Sequence, residues 1–181
     1  VTGLFTENQK DALLFHNQAH TMYVVEKTSE IAANNQLNER EKFILFLAAW
    51  FHDTGYLFVK WEEHEEKSVE LMKGFAEKHH LEDGIIEEAT GCIMATKYPR
   101  NTKGLLQQII CDADTYNLGT KEFKDTNKRV FEELNYFDKS LVPREEYNAH
   151  TYKMLHEHEY LTEYLKELLN KIKKRMRQKE K

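Results

Sequence analysis

At 181 residues the chain has the length of one domain, or of one domain with an appendage, and its net charge is −5 at pH 7. An apolar fraction of 40% beside a charged fraction of 31% is typical of helices that each bury one face. The negative charge offers no general attraction to nucleic acid or to acidic membranes, and no apolar run approaches the roughly 18 residues of a membrane span. Without a visible secretory signal, and with Cys92 and Cys111 expected to be buried free thiols, the composition predicts a soluble, cytoplasmic protein.

The first predicted element is a long helix near the N-terminus. Apolar residues keep helical spacing over residues 6–34, and Thr6 is a suitable cap for such a helix. His16 and His20 lie four positions apart within it, so they would share one helix face.

A second helix is predicted over about residues 39–51. Asn38 followed by Glu41 has the pattern of a capping box at its start. The helix is apolar towards its end and then meets His52 and Asp53, with Gly55 expected to mark the stop. A polar pair at the end of a buried segment is costly unless something satisfies it, and a metal ion bound by imidazole and carboxylate would do so.

Further helices are predicted along the rest of the chain, where glycine and proline are scarce. We find no strand-like alternation of convincing length, no repeat and no linker, which predicts an all-α fold in a single compact domain. The helices are expected at about residues 62–79, 83–96 and 102–115, after residues 119–120, from about residue 143, and from residue 162 into a basic tail.

Two histidines and two aspartates form the candidate metal site. His20 belongs to the first long helix, His52 and Asp53 end the second, and Asp114 lies near the end of the helix predicted over residues 102–115. Metal sites in helical bundles are built in this way, from side chains on facing helices. A lone helical histidine is more often structural or exposed, but unpaired buried aspartates are rare, which favours the metal site.

These residues carry a resemblance to the HD superfamily of metal-dependent phosphohydrolases, defined by the order H…HD…D. Residues 15–21, FHNQAHT, resemble the YHNxxH segment of many members, including cyclic-nucleotide phosphodiesterases. Residues 47–56, LAAWFHDTGY, resemble the apolar helix that runs into the HD pair, and residues 111–114, CDAD, resemble the closing segment. The resemblance covers roughly residues 15–120.

The resemblance implies one HD-type helical domain over residues 1–181, with the motif core at 15–120 and residues 121–181 completing or flanking it. It implies that His20, His52, Asp53 and Asp114 bind one divalent metal ion in the interior of the bundle. The ion could be Mn, Fe, Ni, Co, Zn or Mg, because mixed nitrogen and oxygen ligands leave all of them open. A metal-activated water would then hydrolyse a small phosphoester, a nucleotide or a cyclic nucleotide.

The chain also departs from the family pattern in two places. Many members carry a histidine after an apolar helix, where this chain has IMATK at residues 93–97. His64 is the remaining candidate for a further ligand, so the second metal site is left open, while His79 and His80 are interpreted as a solvated helix end. The hydrolases of the stringent-response nucleotide ppGpp carry a Glu-Asp pair soon after HD, which residues 54–56 do not match.

His16 is the predicted proton donor to the leaving oxygen, a role that the matching histidine has in the phosphodiesterases, and Asp53 is predicted to be catalytic as well as a ligand. The alternative for His16 is a packing histidine.

Four residues are candidate contacts to the substrate: His64, Lys67, Lys97 and Arg100. The alternative for the cations is an ordinary solvated role. Asp112 is expected to orient a ligand histidine through a hydrogen bond.

Two other classes of function remain open at this point. A nucleotide-binding sensor would keep the metal site but turn over little, and a helical interaction module would have no need of a metal. Residues 171–181 carry seven basic side chains and one acidic one, which is typical of a solvated helix end. The alternative for this tail is a phosphate-rich partner.

Overall fold

The computed structural model describes residues 1–137 and 142–169, and all regular secondary structure within these ranges is helical. This confirms the predicted all-α fold. The helices are α1 (Thr2–Asn8), α2 (Gln18–Ala33), α3 (Glu39–Phe51), α4 (His64–Lys78), α5 (Asp83–Ala95), α6 (Leu105–Asp114), α7 (Phe123–Phe137), α8 (Arg144–Glu157) and α9 (Glu163–Leu168). Short 3-10 helices cover Thr54–Leu57, Trp61–Glu63 and Tyr116–Gly119. The basic tail at residues 171–181 lies outside the described residues.

Helix α3 is the centre of the bundle. It packs against α2, α4, α5 and α6, and Ile44, Leu45 and Ala48 on it are fully buried. Such a helix is apolar on nearly every side, which explains why the segment before His52 lacks a polar face. The HD pair therefore emerges directly from the core.

The prediction of one continuous first helix is wrong. The chain forms α1, leaves helical geometry over residues 9–17, and begins α2 at Gln18. Asn17 is the cause, because its side chain accepts hydrogen bonds from the backbone N–H groups of Ala19 and His20 and so caps α2. His16 consequently lies outside α2 and does not share a helix face with His20.

The capping box at the start of α3 is confirmed. The side chain of Asn38 accepts from the Glu41 backbone N–H, and the Glu41 carboxylate accepts from the Asn38 backbone N–H. The helix then ends at Phe51, as predicted.

Gly55 has a different role from the predicted helix stop. It lies inside the 3-10 helix Thr54–Leu57, and its backbone N–H donates to Ser68 Oγ at 2.8 Å. A Cβ atom at this position would overlap the backbone carbonyl of His64. Glycine is therefore required so that the start of α4 can lie directly against the HD segment.

The two cysteines, Cys92 and Cys111, are buried free thiols, as predicted, and burial raises the pKa of each to about 12. Among the described helices, none has the length and apolar composition that crossing a membrane demands.

Candidate metal centre

The four candidate ligands come together at the ends of three helices. His20 lies in the first turn of α2, His52 and Asp53 directly follow α3, and Asp114 is the last residue of α6. His20, His52 and Asp53 are at most 8% exposed, while the Asp114 side chain is 19% exposed. One side of the group is thus closed by the core and the Asp114 side is open.

The spacing of the ligand atoms fits a single ion. One nitrogen or oxygen atom from each of the four residues lies within 4.8 Å of all the others. Asp53 Oδ2 is 3.2 Å from the Nε2 atoms of both His20 and His52, and Asp114 Oδ1 is 3.5 Å from His20 Nε2. Atoms that each lie about 2.1 Å from a common ion are separated by roughly 3 to 3.5 Å, so these distances match metal coordination.

Three of these ligand atoms are buried and have no hydrogen bond within the part of the chain that the structure describes. Among the described residues, His20 Nε2, His52 Nε2 and Asp53 Oδ2 are buried and accept or donate no hydrogen bond. They are close to one another but not aligned as hydrogen bonds, and buried polar atoms left in this state are rare in folded proteins. An ion bound at their centre would satisfy all three, so the residues fit a metal.

Contacts around the group hold the ligand atoms in place. His52 Nδ1 lies 2.9 Å from the Ala49 carbonyl, which fixes Nδ1 as the donor and leaves Nε2 free as a ligand. Asp114 Oδ2 accepts from Arg100 at 2.8 Å, which leaves Oδ1 for the ion. Arg100, predicted as a phosphate contact, therefore lies against a ligand carboxylate.

The charges in the group shift its titration strongly. Burial alone would lower the pKa of His20, but the carboxylates of Asp114 and Asp53 raise it to about 9. Burial alone would raise the pKa of Asp114, but His20 and Arg100 lower it to about 2. In the metal-free protein, protonated imidazole therefore provides the positive charge that the two carboxylates require.

His16 lies beside this centre and is held by α7. Its Nδ1–H donates to Glu133 Oε1, while the backbone N–H groups of Phe15 and His16 donate to Glu133 Oε2 at 2.7 and 3.1 Å. Burial would raise the pKa of the Glu133 carboxyl, but these donors outweigh it and lower the pKa. The imidazole is thus fixed in one tautomer, with Nε2 as its other ring nitrogen.

A stack of rings extends from His16 across the mouth of the site. Tyr56 stacks on His16 with ring centroids 4.0 Å apart, and on its other face it stacks on His64, again at 4.0 Å. His64 Nδ1 bonds to the Trp61 carbonyl, and its Nε2 lies 3.6 Å from Asp53 Oδ1. His64, predicted as a candidate substrate contact, therefore lies next to the metal centre.

The two predicted lysines differ in position. Lys97 lines a cavity beside the metal centre, but its ammonium group pairs with Glu66. Lys67 pairs with Glu70 at 2.6 Å and lies over the ring of Phe58. It lines neither of the two cavities next to the metal centre.

Asp112 is bound elsewhere. Its carboxylate accepts from the backbone N–H groups of Leu161 and Thr162 and from the Thr162 hydroxyl, at 2.7 to 2.8 Å. The hydrogen bonds described for this carboxylate all go to the segment before α9. They connect α6 to the C-terminal part of the chain rather than to a ligand histidine.

Sequence reasoning missed two acidic residues at the site. Glu133 is buried on the face of α7 that also carries Val130 and Thr126, and a glutamate on such a face is the signal that pattern analysis could have used. Glu65 is 5% exposed and its Oε2 has no hydrogen bond among the described residues. Its place between other glutamates gave no such signal.

Two cavities open beside the metal centre. One of about 380 Å³ lies on the α4 side, and one of about 570 Å³ lies on the side of α7 and α8. His16, Tyr98 and Asp114 line both. A molecule bound at the metal can therefore extend in either direction.

A scan against protein-family models finds no family that matches the chain, and searches of the curated proteins and of the solved structures find no match either. The class of protein is therefore defined by fold and site alone. It is an all-helical protein with a buried group of two histidines and two aspartates that could hold a metal ion.

Proposed function

We propose that the protein is a metal-dependent phosphohydrolase that acts on a small phosphoester, a nucleotide or a cyclic nucleotide. The observation that carries the proposal is the set of three buried ligand atoms, on His20, His52 and Asp53, that lack hydrogen bonds around a common point. The resemblance of the motif order to the HD superfamily supports the same reaction class. The fold alone would not, because one fold hosts many functions.

Two imidazoles and two carboxylates suit Mn, Fe, Co, Ni or Zn, and Mg remains open through the carboxylates. When bound, such an ion supplies a lowered pKa for water and neutralises charge on phosphoryl oxygens.

His16 is proposed to protonate the leaving oxygen. As the water oxygen bonds to phosphorus, the bond from phosphorus to the leaving oxygen breaks, and that oxygen needs a proton. The protonated ring of His16 can donate it from Nε2–H, because Nδ1–H is already committed to Glu133 and the ring is fixed against Tyr56. Glu133 acts through His16 and is a positioning residue.

Asp53 is proposed to contribute with both oxygens. Oδ2 lies 3.2 Å from the Nε2 atoms of His20 and His52, whereas Oδ1 lies towards His64 and the smaller cavity. In that position Oδ1 can accept a hydrogen bond from the attacking water and orient it.

The test is metal analysis of the purified protein, followed by phosphate release or ring opening across nucleotides and cyclic nucleotides. We expect about one divalent ion per chain, and hydrolysis that falls at least about 10²-fold in His52→Ala and Asp53→Ala. His79→Ala, which changes an exposed histidine, is the control and should leave both readouts unchanged.

Intact turnover in either ligand variant would refute the proposal. Stoichiometric metal and nucleotide binding without any product would identify a nucleotide sensor instead.

A further inference from the structure

The larger of the two cavities differs in chemistry from the smaller one. The smaller cavity has four carboxylates in its lining, from Asp53, Glu62, Glu65 and Asp114, beside the rings of Tyr56, Trp61 and Tyr98. Its one lysine, Lys97, already pairs with Glu66. These carboxylates make the smaller cavity acidic. It is therefore better suited to water and to charged groups than to an uncharged organic group.

The larger cavity has more apolar and aromatic side chains than the smaller one, although Asp114, Lys153 and Glu157 also line it. At about 570 Å³ it falls within the range of pockets that bind small organic molecules, which are lined in the same way. The side chains that provide this character come from the segment before α2, from the end of α6 and from α7 and α8: Phe15, Leu118, Phe123, Val130, Tyr147 and Met154.

Two amide side chains add specific polar groups to this apolar lining. Asn127 Oδ1 accepts from the Tyr147 hydroxyl at 2.8 Å, and among the described residues its side-chain nitrogen donates no hydrogen bond. The nitrogen of Asn117 donates to Thr126 Oγ1 at 2.9 Å, which leaves its Oδ1 without a described donor. Two residues of the lining thus leave one amide donor and one amide acceptor without a described partner, and amide groups of this kind can bond to the polar edge of a nucleobase.

His16 connects this cavity with the chemistry. It lines the cavity, and under the proposed function it gives its proton to the leaving oxygen. The group attached to that oxygen must therefore begin within hydrogen-bond reach of His16. Of the two cavities that begin at His16, the more apolar one, with its two amide groups, is the one that fits an uncharged ring.

We propose that the cavity between the end of α6, α7 and α8 binds the nucleoside part of the substrate, which is the leaving group of the reaction. This inference rests on the proposed function. Water provides the oxygen that bonds to phosphorus, the bond from phosphorus to the nucleoside oxygen breaks, and that oxygen takes a proton from His16. In a nucleoside monophosphate this step frees the nucleoside, and in a cyclic nucleotide it opens the ring.

Binding of nucleosides to the metal-loaded protein tests the assignment without any turnover. Adenosine, guanosine, cytidine and uridine are titrated separately by calorimetry, and at least one should bind with a Kd below about 1 mM. Met154→Trp should weaken that binding at least tenfold, because the larger side chain fills the cavity. Tyr152→Trp is the matched control on the same helix, since Tyr152 is 52% exposed and lines neither of the two cavities beside the metal centre, and its Kd should stay within twofold.

A second variant keeps the test independent of cavity filling. Asn127→Asp retains an oxygen that can accept from Tyr147 but replaces the free amide donor by a second acceptor. We expect it to weaken the preferred nucleoside at least fivefold, with thermal unfolding unchanged within about 2 °C. If no nucleoside binds, or if Met154→Trp and Asn127→Asp both bind it as well as the unaltered protein does, the assignment is overturned.

Hydrolysis separates this inference from the proposed function. The best nucleoside monophosphate should exceed ribose 5-phosphate at least tenfold in kcat/KM, and Met154→Trp should abolish that preference while ribose 5-phosphate is still cleaved. Equal hydrolysis of both substrates, without nucleoside binding, would overturn the cavity assignment and leave the phosphohydrolase intact. Nucleoside binding that responds to Met154→Trp, without any hydrolysis, would support the cavity as a nucleoside site but refute both the phosphohydrolase and the leaving-group role.

Discussion

At the level of single residues, a proton on His20 supplies positive charge to Asp53 and Asp114, as an ion bound among the same residues would. The two carboxylates are held charged, and they hold the pKa of His20 at about 9 in spite of its burial. A histidine must be neutral to bind a metal. Binding and deprotonation are therefore one coupled event.

We expect metal binding at pH 7 to release at least about one proton per ion, because His20 is charged in the metal-free protein at that pH and neutral as a ligand. Calorimetric titration of the metal in two buffers that differ in ionisation enthalpy measures this number. As the pH falls below 7, protons compete more strongly and the metal affinity should decrease. A binding heat that does not depend on the buffer would contradict the coupling.

Both oxygens of the Glu133 carboxylate hold His16 and the backbone beside it. Glu133→Gln keeps one acceptor oxygen but replaces the other by an amide group, so it cannot accept from both His16 and the backbone of residues 15 and 16. We expect hydrolysis to fall about 10- to 100-fold while the bound metal stays unchanged.

Glu132→Gln is the matched control for this change. Glu132 is the neighbouring residue on α7, is exposed, and pairs only loosely with Lys128 at 3.7 Å. Loss of metal in Glu133→Gln, or full activity in it, would contradict a positioning role.

At the level of elements, local signals decided which predictions succeeded. The capping box of Asn38 and Glu41 lies within four residues and was readable, so α3 was predicted with its observed bounds. The break before α2 depends on Asn17, whose side chain competes with a continuing helix, and the apolar spacing on either side concealed it. A regular hydrophobic pattern can therefore continue through a segment that is not helical.

The close packing of α4 against residues 52–55 depends on the glycine at position 55. Gly55→Ala places a Cβ atom onto the carbonyl of His64, so α4 must move away from the HD segment. We expect the free energy of unfolding to fall by about 1–3 kcal/mol, measured by denaturant titration of the metal-free protein.

Gly74→Ala is a control of opposite sign on α4. A Cβ atom at Gly74 meets nothing within 4 Å, and alanine within a helix is favoured over glycine by about 0.5–1 kcal/mol. If both variants change stability in the same direction, close approach at Gly55 is not the reason for the glycine.

At the level of the whole molecule, the segment before α9 is bound to α6. Asp112 accepts three hydrogen bonds from Leu161 and Thr162, and the Tyr160 hydroxyl bonds to the carbonyls of Thr115 and Tyr116 at 3.1 and 3.0 Å. The C-terminal part of the described chain is thereby anchored next to the last residue of α6, Asp114.

We expect Asp112→Asn to lower the free energy of unfolding by about 1–3 kcal/mol. Asparagine has only one acceptor oxygen, so its amide group must face either the Leu161 N–H or the two donors of Thr162, and at least one donor loses its partner. Thermal unfolding measures the loss. Asp125→Asn, an exposed aspartate in the first turn of α7, serves as the comparison and should change stability by less than about 0.5 kcal/mol.

The parts of the site that could be predicted all lie in short segments of the sequence. His52 and Asp53 are adjacent, and His20 and Asp114 each lie in a short recognisable segment, so the pattern of four ligands could be read from the chain. Glu133 contacts His16 across 117 positions, and Asp112 contacts Thr162 across 50. Such partners depend on how helices pack, and no local pattern carries that information.

The two aspartates near the end of α6 lie two residues apart, which places them about 200° apart around the helix. Asp114 faces the site where an ion would bind, and Asp112 faces the segment that leads into α9. One turn of helix therefore carries two carboxylates with separate roles: Asp114 can help to hold an ion, while Asp112 anchors the partly or fully buried residues that lead into α9.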